Sequence, residues 1–340
     1  MYYIIFVMVL GLWIIAFNYA RANKLSNLVI VLIITTLFII NRQNQDYEAY
    51  VDIFNVNELY AEIGYRWLIY GVKYLGGTHE VIIGLLGLFL GTTFLRLIQY
   101  SKYTAFGLLL YMLCPMPIDI VQIRNTFLFL FVINSLIELE KEHKFNSLCF
   151  VFMAPLFHSL GIVYVLAWVI IQFRTWRGYN KLMVFGLVLS FIVVSLLIKM
   201  LILLFNTRTL HAYIADGIKV HSLIIWAGPY LFDLFLLCYF RKKIVITDLH
   251  TKQWIDIIFS LMLFLSVFSP LLLYIDEINR IFRNALLLKY LVMMSIAQYL
   301  SRPTRYILYS YLLLFTFALS IYYTLQIDYD YIVFGLPYSL

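Results

Sequence analysis

The chain has 340 residues, of which 64% are hydrophobic and 13% charged, and its mean hydropathy is +0.90. Soluble domains carry about 25% charged residues, so this composition excludes a soluble globular protein and indicates a polytopic membrane protein. The net charge of +7 suits a protein with basic cytoplasmic loops, and no basic block indicates nucleic acid as a partner. Without a long hydrophilic stretch, residues 1–340 are predicted to form one transmembrane domain.

The apolar runs predict an all-α fold. A helix needs about 20 apolar residues to cross the hydrocarbon core, and the runs correspond to about 11–12 transmembrane helices. The first run lacks a basic segment and a small-residue cleavage site, so we interpret it as a span and not as a signal peptide. The predicted spans are 1–17, 26–41, 80–98, 103–118, 121–137, 145–156 with 159–173, 182–205, 223–240, 255–274, 284–300 and 306–326.

Six basic clusters lie between these spans, and such clusters favour the cytoplasmic side of a membrane. Placing all six there requires 145–173 to enter and leave on one side, as a re-entrant or broken helix that turns at Pro155 and His158-Ser159. The alternative is one long tilted span, which would invert every later element. The clusters are Arg21/Lys24, Arg96/Lys102, Lys141/Lys144, Arg174/Arg177/Lys181, Arg241-Lys242-Lys243 and Arg302/Arg305.

This topology predicts two outer connections, at 41–79 and 206–222. The first contains an interfacial or re-entrant helix pattern over 62–74, where aromatic and charged residues alternate. Most acidic residues of the connecting segments fall on this non-cytoplasmic side. Four basic groups fall there too, near the ends of spans: Arg124, His158, Arg280 and Arg283.

Arg124 lies in an otherwise apolar stretch. An arginine within a membrane helix costs roughly 2.5–3.5 kcal/mol on insertion scales, so it usually faces a cavity or a partner. Gln122 and Asn125 flank it and form a polar patch. Its planar fork is suited to holding a phosphate with two hydrogen bonds. The alternative is a structural arginine that pairs with Asp119 or extends to the interface.

His158 sits at the predicted helix break and is a candidate general base, because imidazole titrates near neutrality. Ser159 beside it could orient the ring. The alternative is a structural histidine with satisfied hydrogen bonds.

Arg280 and Arg283 are spaced i, i+3, so they lie on one helix face. With Arg124 they would form a clamp of three positive charges, which a pyrophosphate leaving group requires where no metal neutralises it. The alternative is that Asp276 and Glu277 neutralise the two arginines.

Carboxylates alternate with tyrosines in the predicted outer loop, at Asp46-Tyr47 and Glu62-Ile-Gly-Tyr65. Such a surface suits sugars, whose hydroxyls bind carboxylates and whose C–H faces pack on aromatic rings. The alternative is a solvated loop with an interfacial aromatic belt.

The sequence contains no motif typical of other catalytic chemistries. The sequence has no glycine-rich phosphate loop, no paired Cys/His metal spacing and no Gly-x-Ser-x-Gly elbow. We therefore expect neither a metal nor a cofactor. A DxD-type nucleotide-sugar site is also missing, apart from Asp328-Tyr-Asp330 near the C-terminus. This favours lipid-linked sugar donors over cytosolic nucleotide sugars.

Taken together in order, the short motifs resemble those of the EpsG family of Wzy-type polymerases for capsule, O-antigen and exopolysaccharide. The resemblance covers nearly the whole chain. The sequence departs from the usual family pattern at two positions: Asn125, which follows Arg124, and Ser159, which follows His158 directly. The motifs are Asp46-Tyr47 with Tyr50, Glu62-x-Gly64-Tyr65, Arg124 followed by a polar residue, Phe157-His158-Ser159, Arg280 ahead of a span, and Pro337-Tyr338.

The resemblance implies a metal-independent, GT-C-like glycosyltransferase of the bacterial cytoplasmic (inner) membrane, acting on undecaprenyl-pyrophosphate-linked glycans at the outer leaflet. It also implies a chain-length co-polymerase and a flippase as partners. We assign catalysis to His158, Arg124 and Arg280. The residues assigned to substrate binding are Arg283, Asn125, Asp46, Tyr47, Glu62, Tyr65 and Ser159.

Two other functions remain open from the sequence. A lipid-linked oligosaccharide flippase also binds pyrophosphate through buried arginines, but such transporters usually show two related halves and no internal repeat is visible here. A polysaccharide O-acyltransferase also uses a membrane histidine. A purely structural role ranks last, because buried arginine and histidine are costly without a task.

Overall fold

The computed structural model describes residues 2–19, 23–42, 44, 46–56, 59, 61–205, 220–275, 278–324 and 332–333. Regular structure in these residues is helical, which confirms the all-α class. The helices are α1 Tyr2–Tyr19, α2 Asn23–Ile40, α3 Tyr47–Asn55, α4 Ile63–Tyr74, α5 His79–Leu97, α6 Thr104–Leu113, α7 Met116–Val121, α8 Ile123–Glu140, α9 Lys144–Phe157, α10 Gly161–Ile171, α11 Tyr179–Phe205, α12 Gly228–Lys243, α13 Leu249–Ser266, α14 Asn279–Ala297 and α15 Arg302–Thr324.

Three helical segments of the described chain are long and apolar enough to cross a membrane by length and composition. Several shorter apolar helices accompany them, in agreement with a polytopic membrane protein. The three segments are His79–Tyr100, Val220–Lys243 and Arg302–Thr324.

The centre of the bundle is formed by α6 and α14, whose side chains are buried almost throughout. Helices α8 and α13 pack beside them and are also largely buried. The outer helices expose large apolar side chains, among them Phe185, Phe235 and Leu314. In water such a surface would be unfavourable, whereas in a bilayer it contacts acyl chains.

Two predicted spans differ in the structure. The span at 103–118 is divided into the short helices α6 and α7. The span at 255–274 begins six residues earlier, at Leu249, and α13 ends at Ser266 before a 3₁₀ turn over Ser269–Leu273. Pro270 at the start of that turn lacks the N–H that a continuing α-helix requires. Most of the predicted loop 206–222 lies outside the described residues.

One end of the bundle, here called the basic end, carries Arg96, Lys141 and Arg305. Several helix termini meet there: Tyr100 donates a 2.8 Å hydrogen bond to Glu140, and His250 at the start of α13 contacts the same carboxylate at 2.8 Å. Arg305 at the start of α15 donates to the Tyr103 hydroxyl at 2.7 Å. The predicted clusters Arg96/Lys102, Lys141/Lys144 and Arg302/Arg305 therefore gather at one end, as the assigned topology requires.

The segment 145–173 forms an antiparallel hairpin of α9 and α10. Trp168 donates a 2.7 Å hydrogen bond to Ser147, although the two residues lie on opposite sides of the turn. At 1.5 Å per residue, the 14 and 11 residues of these helices span about 21 and 17 Å. That is less than the ~30 Å of the hydrocarbon core. The predicted break of the helix at His158-Ser159 is confirmed, and one continuous helix over 145–173 is excluded. That the hairpin enters and leaves the membrane on one side stays a prediction.

We predict that Gly161 is required for this reversal. A Cβ atom at Gly161 would overlap the backbone of Ala154 and Pro155, whereas one at Gly84 would meet no atom within 4 Å. Gly161→Ala should therefore destabilise the protein by about 1–3 kcal/mol through overpacking. The midpoint of thermal unfolding in detergent measures this, with Gly84→Ala as the matched control. Equal midpoints for the two variants would contradict the tight turn.

The hairpin also predicts that its two ends face one side of the membrane. In a variant lacking the three native cysteines, Lys144→Cys and Thr175→Cys should react with an impermeant maleimide from the same side. Glu48→Cys, exposed near the other end of the bundle, should react from the opposite side. Oriented vesicles make the comparison, and labelling of 144 and 175 from opposite sides would refute the hairpin.

Candidate functional site

Four helix termini converge at the end opposite the basic end, which we call the site end. They are the starts of α4, α8 and α14 and the end of α9. The Arg280 Nη1 atom lies 3.2 Å from His158 Nε2, and the Arg124 Nη1 atom donates a 2.6 Å hydrogen bond to Glu62 Oε2. The structure therefore brings together the three residues predicted to be catalytic.

Local sequence features place these side chains at helix ends. Gln122 leaves helical geometry (φ −94°, ψ 65°), so α8 begins anew just before Arg124. Pro155 lies in the last turn of α9, and His158 follows with extended backbone (φ −158°, ψ 134°). Gly64 allows α4 to approach α9 closely, because a Cβ there would be 2.8 Å from the Leu156 carbonyl oxygen. This contact holds Glu62 beside the histidine.

Arg124 is partly accessible, with 26% of its side chain exposed against 24% for Glu62. Its guanidinium also lies over the Tyr50 ring, 5.9 Å from the centroid. The alternative in which Arg124 pairs with Asp119 is wrong, since Asp119 faces another arginine. Arg124 thus presents a charged fork at the site end, and the group that occupies it is a carboxylate.

The His158 ring meets a donor at each nitrogen. The Leu160 N–H approaches Nδ1 at 3.2 Å, and the Arg280 guanidinium approaches Nε2 at the same distance. A neutral imidazole has one N–H and one lone pair, so only one of these donations is made at a time. Because an N–H donor faces each ring nitrogen, the addition of a second proton to the imidazole is disfavoured. Ser159 is exposed, and in the described structure the backbone of Leu160 contacts the ring instead.

Arg283 and Asn125 lie one layer behind this surface. Arg283 is only 3% exposed; its Nε is 3.5 Å from Asp119 Oδ1 and its Nη2 donates to the Gln122 side chain. Asn125 and Asn284 exchange amide hydrogen bonds of 2.9 and 3.2 Å between α8 and α14. Both predicted substrate-binding residues therefore face the α8–α14 interface.

Asp46 lies within electrostatic range of Arg280 and Arg124. Partial burial raises the pKa of its carboxyl group, and the two arginines oppose that shift. Asp46 thus adds a half-buried carboxylate to the margin of the cationic cluster. This position agrees with a contact to sugar hydroxyls, which stays a prediction.

The two predicted tyrosines occupy different layers. Tyr47 is partly exposed and donates a 2.8 Å hydrogen bond to Glu80. Tyr65 is fully buried, and its ring lies 6.1 Å from that of Tyr50. Tyr65 therefore supports Tyr50, which lies against the fork of Arg124. Sequence reasoning placed Tyr50 in the same motif as Asp46 and Tyr47 but did not predict its contact with Arg124.

Some sequence predictions fall outside the described residues. Neutralisation of Arg280 and Arg283 by Asp276 and Glu277 is one of them. The C-terminal motifs are another, because Asp328-Tyr-Asp330 and Pro337-Tyr338 are also outside the description. A separate cavity of 440 Å³ lies at the C-terminal end of α12 and is lined by residues that include Arg241, Lys242 and Lys252. It is not part of the site.

Comparison with known proteins agrees with the resemblance noted from the motifs. The EpsG family model matches residues 26–340, nearly the whole chain. No curated protein and no solved structure matches the chain. The convergence of Glu62, Arg124, His158 and Arg280 lies within the matched region. The chain belongs to the EpsG family, a family of Wzy-like polysaccharide polymerases.

Proposed function

We propose that the protein polymerises undecaprenyl-pyrophosphate-linked oligosaccharide repeat units on the outer leaflet of the bacterial cytoplasmic membrane. The observation that carries the proposal is the junction of four helix termini, where two accessible arginines flank a histidine. Family membership supports the polymerase class. The products would be O-antigen, capsular polysaccharide or exopolysaccharide.

The arginines have a defined task in this reaction. A donor glycan leaves as undecaprenyl pyrophosphate, so negative charge develops on the oxygen of the breaking C–O bond. Arg124 and Arg280 are partly exposed and both act electrostatically on His158, so an anion beside the histidine would be attracted by both. Fixed cations next to a leaving group stabilise the transition state without reorganisation. In this proposal the arginines supply the positive charge, and the transfer is metal-independent.

His158 takes the proton of the acceptor. The non-reducing terminal hydroxyl of one repeat unit attacks the anomeric carbon of the other glycan. The new glycosidic bond forms as the bond to pyrophosphate breaks, and the bonding electron pair stays on the pyrophosphate. The hydroxyl proton passes to the lone pair of the imidazole. Asp46 and Tyr47 at the margin of the site contact the sugar hydroxyls.

A flippase and an O-acyltransferase are the other functions left open by the sequence, and no observation on the described residues favours either over the polymerase. A chain-length co-polymerase and a flippase remain proposed partners, since the polymerase needs lipid-linked units delivered to the outer leaflet.

The proposed reaction predicts the effect of replacing Arg124 and His158. Arg124→Ala and His158→Ala should each abolish surface polymer and leave single-repeat glycan, because leaving-group stabilisation or base catalysis is lost. Glycan length on a gel, in a deletion strain complemented with each variant, measures this at matched protein level. The control is Arg177→Ala, an exposed arginine after α10 that should support full-length polymer. Full-length polymer from the two site variants would refute the proposal.

Another prediction separates Arg283 from Arg124 and Arg280, the arginines proposed to hold the pyrophosphate. Breaking a buried ion pair costs about 3–5 kcal/mol, whereas replacing both partners by apolar residues is often neutral. Arg283→Met alone should therefore lower the amount of folded protein and of polymer. The double variant Arg283→Met/Asp119→Leu should recover both. A double variant present at wild-type level but unable to form polymer would instead show that Arg283 binds the substrate.

A further inference from the structure

Glu62 occupies the position on Arg124 that a phosphate oxygen would take. Its carboxylate is 2.6 Å from Arg124 Nη1, and both side chains are about one-quarter exposed. Carboxylate and phosphate present the same kind of acceptor to a guanidinium fork. The predicted anion site on Arg124 is therefore closed by an anion from the chain itself.

Glu62 is also built to reach a second partner. It lies at the N-cap position of α4, where its side chain makes no capping hydrogen bond. The close approach of Gly64 to Leu156 holds this helix start against the end of α9. Glu62 consequently lies within electrostatic range of the His158 ring, as do Arg280, Arg124 and Arg283.

The resting site thus contains two matched pairs. Arg124 is paired with Glu62, and Arg280 faces His158. Each pair consists of a group suited to hold an anion and a group suited to handle a proton. In both pairs the arginine keeps the second group from handling a proton. Arg124 neutralises the Glu62 carboxylate, and Arg280 covers a ring nitrogen of His158.

We propose that the donor pyrophosphate exchanges these pairs and that Glu62 is the positioning residue of the base. This inference rests on the proposed function. The pyrophosphate draws Arg124 away from Glu62 and Arg280 away from His158, because it competes with a carboxylate for the first guanidinium and with a neutral imidazole for the second. The released Glu62 carboxylate then turns to the imidazole. An adjacent carboxylate favours the imidazolium that forms when His158 takes the proton of the acceptor hydroxyl.

This exchange couples donor binding to activation of the base. Before the exchange, His158 faces Arg280 and has no hydrogen-bonded carboxylate partner among the described residues, so it is a poor proton acceptor. Once the pyrophosphate is bound, the hydroxyl proton moves to His158 and the glycosyl C–O bond breaks, with its electron pair remaining on the pyrophosphate. An acceptor glycan that arrives first meets an inactive base.

The exchange predicts opposite effects on binding and on catalysis in one variant. Glu62→Gln keeps the shape and an oxygen for Arg124 but removes the competing charge. The purified full-length variant should bind inorganic pyrophosphate about two- to fivefold more tightly than the wild type, the value of a partly exposed ion pair. It should nevertheless form polymer about tenfold or more slowly, because the base has lost its partner.

Glu48→Gln, an exposed carboxylate on α3 at the same end, is the matched control and should change neither quantity. Weaker binding or unchanged binding in Glu62→Gln would overturn the exchange, and so would unchanged polymerisation. Arg124→Ala separates the two levels of the proposal. If this variant binds pyrophosphate as well as the wild type does, the anion site itself is wrong and both proposals fall. If it loses binding while Glu62→Gln gains none, only the role of Glu62 fails.

Discussion

The reversal of the chain at His158 is the constraint on which the rest of the structure depends. Because α9 and α10 are antiparallel, both leave the hairpin toward the basic end, and all later helices take their direction from it. Without the reversal, α14 would run the other way and Arg280 would lie at the wrong end of the bundle. Gly161 permits the turn by leaving room for the preceding helix, and Pro155 weakens that helix just before it ends. One tight turn therefore sets both the topology and the composition of the site.

The arginines of the site end are arranged in two layers that differ in their neutralisation. Arg283 is buried, and its partners Asp119 and Gln122 belong to the junction of α7 and α8. Arg124 and Arg280 are partly exposed and face groups with chemical roles of their own. The inner layer keeps α8 and α14 in register, while the outer layer presents charge to the site. Because the inner pair already compensates its own charge, the outer arginines are the ones able to respond to a bound anion.

Much of this was predictable from the sequence, for identifiable reasons. Membrane insertion penalises charge so strongly that Arg124 and His158 stood out from their apolar surroundings, and the basic clusters indicated the hairpin. The division of the span at 103–118 was not predictable, since apolar composition does not distinguish one helix from two short ones. The ion-pair partners of the arginines were also not predictable from the sequence. Asp119 lies one turn from Arg124 in sequence, yet it contacts Arg283, 164 positions further along. Sequence spacing limits which side chains can meet, but helix packing decides which ones do.

The pair between Lys289 and Asp233 has a consequence for how this protein is made. Lys289 is fully buried near the middle of α14, and its Nζ lies 2.8 Å from Asp233 of α12 and 3.7 Å from the Phe315 ring centroid of α15. A lone lysine at the centre of a membrane helix costs roughly 2.5–3.5 kcal/mol on insertion scales. Helix α14 is therefore a poor candidate for insertion alone. Helix α12 is synthesised first and carries the neutralising carboxylate, so packing of α14 against α12 removes the cost of the buried lysine.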